Sequence, residues 1–202
     1  MKVPIEIYAQ IVERVQRDQA FARTLTNTQG YSDEMRLIHE ENARFLDEVL
    51  KTISLDDLMT SSKDIADGVF LIIQHAISMP GFMKKMYQLL MQLSHPIPVY
   101  VAYLEDRIRS FERQPQRYGT QYDYDEQGRM TMYWCNDSVK TINQRRKEIG
   151  LSSVKENEQR FIHQPQLSLI EAKKYIKDQH EWLVKTGWCS EEDINRYDRR
   201  NA

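Results

Sequence analysis

The run VFLII, at positions 69–73, is the feature that most constrains how this chain can fold. It stands between Ser62, a candidate helix cap, and the helix-breaking Pro80, and it is apolar on every side of a helical wheel. A helix that is apolar all round is buried by other elements rather than lying on a surface. The pattern therefore predicts a central buried helix with the rest of a domain built around it.

Most of the remaining chain carries apolar residues at helical spacing, interrupted by few glycines and prolines, seven and six in 202 residues. Such a pattern is typical of amphipathic helices. The spacing predicts further helices over residues 4–25, 33–58, 79–95, 98–111, 138–150 and 168–185. A short polar helical turn is expected near the C-terminus.

Residues 118–134 have a different character, because they are rich in Tyr and Thr, alternate in polarity and contain Gly128 in a turn-like DEQG. We predict a β-hairpin that pairs residues 118–124 with 129–134. The predicted fold class is mainly α, a single-domain helical bundle of about six or seven helices with a small β-hairpin. The domain spans 1–202, with a helical extension over 153–202.

Composition and charge exclude several classes of protein. A net charge of −2 argues against a protein that binds duplex nucleic acid, which needs a dominant basic surface. Two cysteines, Cys135 and Cys189, give no disulfide framework, so we expect a reducing cytoplasm. No apolar run approaches the ~20 residues of a membrane span, so we expect a soluble protein without a membrane partner.

The short motifs of common catalytic sites are absent from the sequence. The glycines never cluster as a phosphate-binding loop requires, and the five histidines show no HExxH or similar spacing. We therefore predict no metal ligands and no cofactor, although ligands far apart in sequence leave no such signal. Whether the protein is an enzyme stays open.

Two polar features on the predicted helices stand out. His75 directly follows the buried run, and it is either a core histidine with internal partners or a catalytic proton-transfer residue. Asp106 and Arg107 follow on a later helix, where Arg107 lies at the margin of the apolar stripe. They form either a surface ion pair or part of a cleft.

A concentration of positive charge precedes the hairpin. Between positions 107 and 117 there are four arginines and one acid, and they lead into QRYGTQ at 116–121. Arginines near a glycine and amides are suited to binding carboxylate or phosphate. The alternative is a solvated helix end with a polar turn. The candidate ligand-binding residues are Arg107, Gln116, Arg117, Tyr118, Gly119 and Gln121.

Four strings occur in an order that resembles a bacterial family of uncharacterised proteins known as domain of unknown function 6624. They are LIIQHA (71–76), AYLEDRI (102–108), QRYGTQ (116–121) and RRKEIGL (145–151). The similarity covers about residues 36–152, and QRYGTQ is its most specific element. The resemblance implies one site but brings no activity. The residues that it assigns to that site are His75, Asp106, Arg107, Gln116, Tyr118, Gly119 and Gln121.

The leading hypothesis is a polar cleft that binds a small anionic ligand. In it Arg107 and Arg117 bind the anion, Gln121 and Tyr118 orient it, and His75 transfers a proton with Asp106 fixing its tautomer. The alternative is a non-catalytic interaction module, of the immunity or adaptor type, with an unknown protein partner. In that case the same residues satisfy buried polar groups.

Overall fold

A computed structural model of the protein describes residues 3–24, 31–161 and 163–201. Residues 200 and 201 are described by their backbone alone. This described part contains ten helices and one two-stranded antiparallel hairpin, which confirms the predicted mainly α fold class. The chain forms two compact units, Met1–Pro96 and Ile97–Ala202. The boundary lies within the 36–152 segment that carries the family resemblance.

The first unit consists of five helices. They are α1 Ile5–Ala22, α2 Asp33–Val49, α3 Leu55–Ser61, α4 Lys63–His75 and α5 Pro80–Met91. The helix predicted over residues 4–25 corresponds to α1. Residue 25 lies outside the described residues. The predicted 33–58 helix is two helices, because Ser54 accepts a hydrogen bond from the backbone N–H of Asp57 and starts α3 as a new helix.

Helix α4 is the buried helix that the VFLII run predicts. Four residues of that run are buried, and Leu71 is half-buried. Gly68 allows α1 to pack closely on this helix, because a Cβ at position 68 would lie 3.0 Å from Cγ2 of Ile11. Asp18 is two turns beyond Ile11 on α1, and His75 is two turns beyond Gly68 on α4. The close packing at Gly68 thus sets the spacing between these two polar residues.

The second unit contains five helices and the hairpin. They are α6 Pro98–Phe111, β1 Tyr122–Tyr124, β2 Met130–Met132, α7 Val139–Glu148, α8 Val154–Glu158, α9 Leu169–Thr186 and α10 Glu191–Asn201. The described helices number ten rather than six or seven because α3, α8 and α10 are separate elements, each with a hydroxyl side chain bonded to the start of the helix. Helix α10 has 11 residues and is longer than the single polar turn expected near the C-terminus.

The hairpin is shorter than the sequence predicts. Tyr122 pairs with Met132 and Tyr124 with Met130, so only three residues on each side are strand. Residues 118–120, predicted as the start of the first strand, instead belong to a loop over 117–120, between Gln116 and Gln121. The reason is that side chains from other parts of the unit form hydrogen bonds with the backbone groups of this loop. These backbone groups therefore cannot pair with a neighbouring strand.

Candidate metal centre

Three helices of the first unit bring together one carboxylate and two imidazoles. Asp18 lies on α1, His39 on α2 and His75 on α4, and one potential ligand atom from each lies within 4.8 Å of the others. We refer to these three residues as the Asp–His–His cluster. Asp18 and His39 are buried, with 2% and 5% exposure, whereas the side chain of His75 is about one third exposed. The cluster therefore lies at the edge of the core and reaches solvent through His75.

Both imidazoles face the Asp18 carboxylate. Nδ1 of His75 lies 2.9 Å from Oδ2, and Nε2 of His39 lies 3.4 Å from Oδ1. Burial by itself raises the pKa of the Asp18 carboxyl, but the hydrogen bonds and charges of the two histidines outweigh it and lower that pKa. Asp18 is therefore a carboxylate that requires positive charge around it.

A chain of hydrogen bonds leads away from the other nitrogen of His39. Nδ1 of His39 lies 3.1 Å from the hydroxyl of Tyr31, which donates to the hydroxyl of Ser78 at 3.5 Å. Ser78 in turn donates to Oε1 of Glu40 at 3.2 Å. Burial raises the pKa of Tyr31 to about 12, so its hydroxyl keeps its proton at neutral pH.

The direction of this chain favours one tautomer of His39. The Glu40 carboxylate can only accept, so Ser78 donates to it and can accept from Tyr31. When Tyr31 donates to Ser78, its oxygen accepts from His39, which places the proton of a neutral imidazole on Nδ1. In a neutral imidazole, Nε2 then carries a lone pair, and this lone pair faces a carboxylate oxygen 3.4 Å away. A metal ion or a second imidazole proton between these two acceptors would satisfy both of them.

The separations within the cluster suit a bound transition metal. Ligands that are about 2.0–2.2 Å from a common ion, at tetrahedral to octahedral angles, lie about 3–3.5 Å from one another. Oδ1 of Asp18 lies 3.1 Å from Nδ1 of His75 and 3.4 Å from Nε2 of His39, and both distances fall in this range. Two imidazoles with one carboxylate is a donor set that suits Zn²⁺, Fe²⁺ or Mn²⁺ and leaves further coordination positions open. The Tyr31 contact to Nδ1 of His39 is the outer-shell bond that orients metal-ligating histidines.

Spacing along the sequence does not reveal this cluster, because its members are 21 and 36 positions apart at 18, 39 and 75. A weaker signal exists: Asp18 continues the helical spacing of Ile11 and Val15, so a carboxylate occupies the buried face of α1. A lone acid on an apolar stripe needs a cationic partner. His39 occupies a similar position on α2, next to Ile38 and one turn from Asn42.

The second unit holds the other predicted site residues, most of them around Asp106. The Asp106 carboxylate is completely buried and accepts from the backbone N–H groups of Arg117, Tyr118 and Thr120 at 2.7–3.2 Å. The Thr120 hydroxyl donates to it as well, at 3.0 Å. We call residues 117–120 the Asp106 loop. Burial raises the pKa of Asp106, and these hydrogen bonds oppose the rise.

Gln116 and Gln121 close the Asp106 loop at its base. Oε1 of Gln116 accepts from the backbone N–H of Gln121 at 2.9 Å, and its Nε2 donates to the carbonyls of Gln121 and Tyr133. Buried Arg146 holds the far side, where its Nη1 donates to the carbonyls of Tyr118 and Gly119. The loop is thus held from three directions by side chains.

The two arginines proposed to bind an anion contact other residues of the same unit. Arg107 is partly buried, and its Nε donates to Oε1 of Gln121 at 3.1 Å; burial lowers its pKa to about 10. Arg117 forms an ion pair with Glu105 at 3.2 Å. The structure therefore gathers the predicted ligand-binding residues around one loop.

His75 lies in the first unit, and the carboxylate at its Nδ1 is that of Asp18. Its predicted pairing with Asp106 stays a prediction. His75 is also less buried than the sequence indicates, because α4 ends at this residue and its ring lies at the helix end.

Comparison of the chain with protein-family models, curated proteins and solved structures finds no match. The resemblance to the family of unknown function stays a prediction. Within residues 3–24, 31–161 and 163–201, no helix is both long and apolar enough to cross a membrane.

Proposed function

We propose that the first unit binds a divalent transition-metal ion through Asp18, His39 and His75. The observation that carries the proposal is the orientation of His39, whose Nδ1 is committed to Tyr31 while its Nε2 faces the Asp18 carboxylate. A metal ion at that position satisfies the carboxylate and both imidazoles at once. Nitrogen donors favour Zn²⁺, Fe²⁺ or Mn²⁺ over Ca²⁺ and Mg²⁺, which prefer oxygen.

Three protein ligands leave coordination positions for a substrate, and the exposed side of His75 gives solvent access to the cluster. A metal ion in such a site supplies Lewis-acid chemistry to a small polar ligand. The protein contributes a rigid geometry, since the ligands stand on three helices that pack against one another. We assign the site to this chemical class, which accommodates a small anionic substrate.

Titration of the metal-free protein with Zn²⁺ or Co²⁺ tests the proposal. We expect one ion per chain, and the absorption spectrum of Co²⁺ should show nitrogen ligation. His39→Gln and His75→Gln should each weaken binding by about 100-fold or more. His95→Gln is the matched control, since His95 is an exposed histidine of the same unit, and Ca²⁺ is the control ion. Binding that survives both ligand variants would contradict the proposal, as would the absence of stoichiometric binding in the folded wild type.

Proton transfer by His75 is the second candidate function. It is supported by the short contact of Nδ1 with the buried Asp18 carboxylate, which is how a carboxylate orients a catalytic imidazole. In this form His39 carries two protons and no metal is bound. Nitrogen-15 NMR of the histidine rings separates the two functions, because a metal ion shifts Nε2 of His39 and a proton gives the doubly protonated pattern.

For the Asp106 loop, the contacts support a structural role rather than anion binding. The carboxylate of Asp106 and the amide of Gln116 are engaged within the unit. This is the role that the alternative hypothesis gives to QRYGTQ. Phosphate or carboxylate titrations of Arg107→Lys and wild type decide it, since a structural loop leaves the anion affinity of the two proteins the same.

A further inference from the structure

Arg113 occupies a backbone position that normally belongs to glycine. It follows the C-terminus of α6 with φ +54°, the only non-glycine residue of the described chain with a positive φ. Its N–H bonds to the carbonyl of Ser110 and the N–H of Gln114 bonds to that of Arg109, which is the Schellman pattern of a helix end. An L side chain in this conformation is strained, and glycine avoids that strain. The position therefore raises the question of what the arginine side chain does.

The guanidinium of Arg113 is buried, and the residue is only 7% exposed. Nη2 donates to Oε1 of Gln179 at 2.6 Å, and Gln179 is itself fixed by Asp123, to which its Nε2 donates. Nε of Arg113 has no hydrogen bond of good geometry in the described part of the chain, although the guanidinium lies beside Tyr133, 5.9 Å from its ring centroid. No carboxylate among the described residues forms a salt bridge with Arg113, so an anion in contact with the guanidinium would stabilise this buried cation.

Arg113 lines a small open cavity of about 80 Å³ in the second unit. The other lining residues are Gln114, Asp193, Arg196 and Tyr197. The guanidinium lies 5.0 Å from the ring centroid of Tyr197, which shields one of its faces and restricts its orientation.

The charges around this cavity favour an anion. The acid of the lining, Asp193, accepts from the backbone and hydroxyl of Ser190, at 3.0 and 2.6 Å, and from Arg196 at 3.3 Å. Arg196 also pairs with Glu192, at the exposed side of α10. In this lining Arg196 and Asp193 already pair with each other, which leaves Arg113 as the lining cation that has no ion pair among the described residues.

We propose that this cavity is a binding site for an oxyanion group, phosphate or carboxylate, of a small molecule. Arg113 is the anchor, held in place by Gln179, and Arg196 is a second cation at the rim. The planar guanidinium binds oxyanions with defined geometry through paired N–H groups. The inference is independent of the metal centre, since it concerns other residues in the other unit.

Calorimetric titration of the full chain with inorganic phosphate, and separately with acetate, tests this site. We expect saturable binding of at least one of the two. Arg113→Gly should weaken it by about tenfold or more, and Arg113→Lys should weaken it nearly as much, because lysine keeps the charge but not the planar fork. Arg113→Gly is expected to fold, because glycine adopts the positive φ without strain. Arg129→Lys, a surface change in the same unit, is the control and should bind like wild type.

The outcomes are distinct. Binding that is lost in Arg113→Gly and retained in Arg129→Lys supports the site. Binding of neither anion by the folded wild type overturns it, as does binding that is unchanged in folded Arg113→Gly. Metal titration of the same Arg113→Gly protein gives a separate readout, and it should match wild type whether or not the metal proposal holds.

Discussion

Asp106 and Thr120 are joined twice, since Oδ2 of Asp106 accepts both the backbone N–H and the hydroxyl of Thr120 at 3.0 Å. One carboxylate thereby satisfies buried groups that a β-strand would have paired with a neighbouring strand. Backbone donors in a buried loop need such partners. Asp106 is therefore the residue on which the shape of the 117–120 loop depends.

Asp106→Asn should destabilise the second unit by about 2–4 kcal/mol. The NH₂ group of the asparagine side chain would face the backbone N–H groups of the loop, which would leave buried N–H groups unsatisfied. Chemical denaturation followed by tryptophan fluorescence measures the effect. All three tryptophans, Trp134, Trp182 and Trp188, lie in the second unit, so their fluorescence reports on that unit alone.

Asp137→Asn is the matched control for this change. Asp137 pairs with Arg145 at 2.6 Å, but its side chain is 42% exposed. Its loss should change the free energy of unfolding by about 1 kcal/mol or less. Equal effects of the two substitutions would contradict the role assigned to Asp106.

Gly119→Ala should cost about 1–2 kcal/mol from its positive φ of 62°, together with a cost for displacing Met132. A Cβ at position 119 would lie 2.6 Å from Sδ of Met132. The same denaturation experiment measures the loss. The need for glycine at position 119 thus comes from the positive φ of the turn and from the close contact with Met132.

Two further variants separate the causes of the Gly119 effect. Combining Gly119→Ala with Met132→Ala should remove the steric part and leave the cost of the positive φ. Gly81→Ala, in a helix with nothing within 4 Å of the new Cβ, should be neutral or slightly stabilising. A neutral Gly119→Ala would show that the loop adopts another conformation.

The fold class could be predicted because it depends on periodicity, and periodicity is local. The VFLII run and the helix stop at Pro80 are readable without any knowledge of distant contacts. The length of the hairpin cannot be predicted in this way. The side chain of Asp106, 11 to 14 positions earlier, bonds backbone groups of residues 117–120 and so keeps them out of the strand.

The Asp–His–His cluster shows the same limit more strongly. The sequence marks His75 as a candidate site residue because it follows an apolar run. The partners of His75, however, depend on how α1 and α2 pack on α4. That packing requires Gly68, whose missing side chain admits Ile11. Neither Asp18 nor His39 belongs to a short motif, so only the folded arrangement connects them to His75.

Tyr31→Phe should weaken Zn²⁺ binding by about 10- to 100-fold while leaving one ion per chain. The hydroxyl of Tyr31 is hydrogen-bonded to Nδ1 of His39 at 3.1 Å and so holds Nε2 toward Asp18. Without it the ring is free to change tautomer and orientation. Calorimetry with metal-free protein measures the affinity.

Ser78→Ala removes the next link of the same chain and should have a smaller effect in the same direction. Tyr8→Phe, a partly exposed tyrosine on α1, is the control and should bind like wild type. If Tyr31→Phe binds Zn²⁺ as tightly as wild type, the tautomer of His39 is not set by this chain.

Cys135 should react slowly with thiol reagents at neutral pH. Burial, reinforced by the charges of Asp106 and Asp137, raises the pKa of its thiol to about 12 from an ordinary value of 9.0. At pH 8 the thiolate fraction then falls from about one tenth to about one in ten thousand, so alkylation should be about 1000-fold slower than for a free thiol.

Iodoacetamide labelling followed by peptide mass spectrometry measures the rate. The rate should rise about tenfold for each pH unit up to pH 11, and denaturant should abolish the protection. Rapid labelling of Cys135 in the native protein at pH 8 would mean that this thiol is not held in the buried environment that the structure gives it.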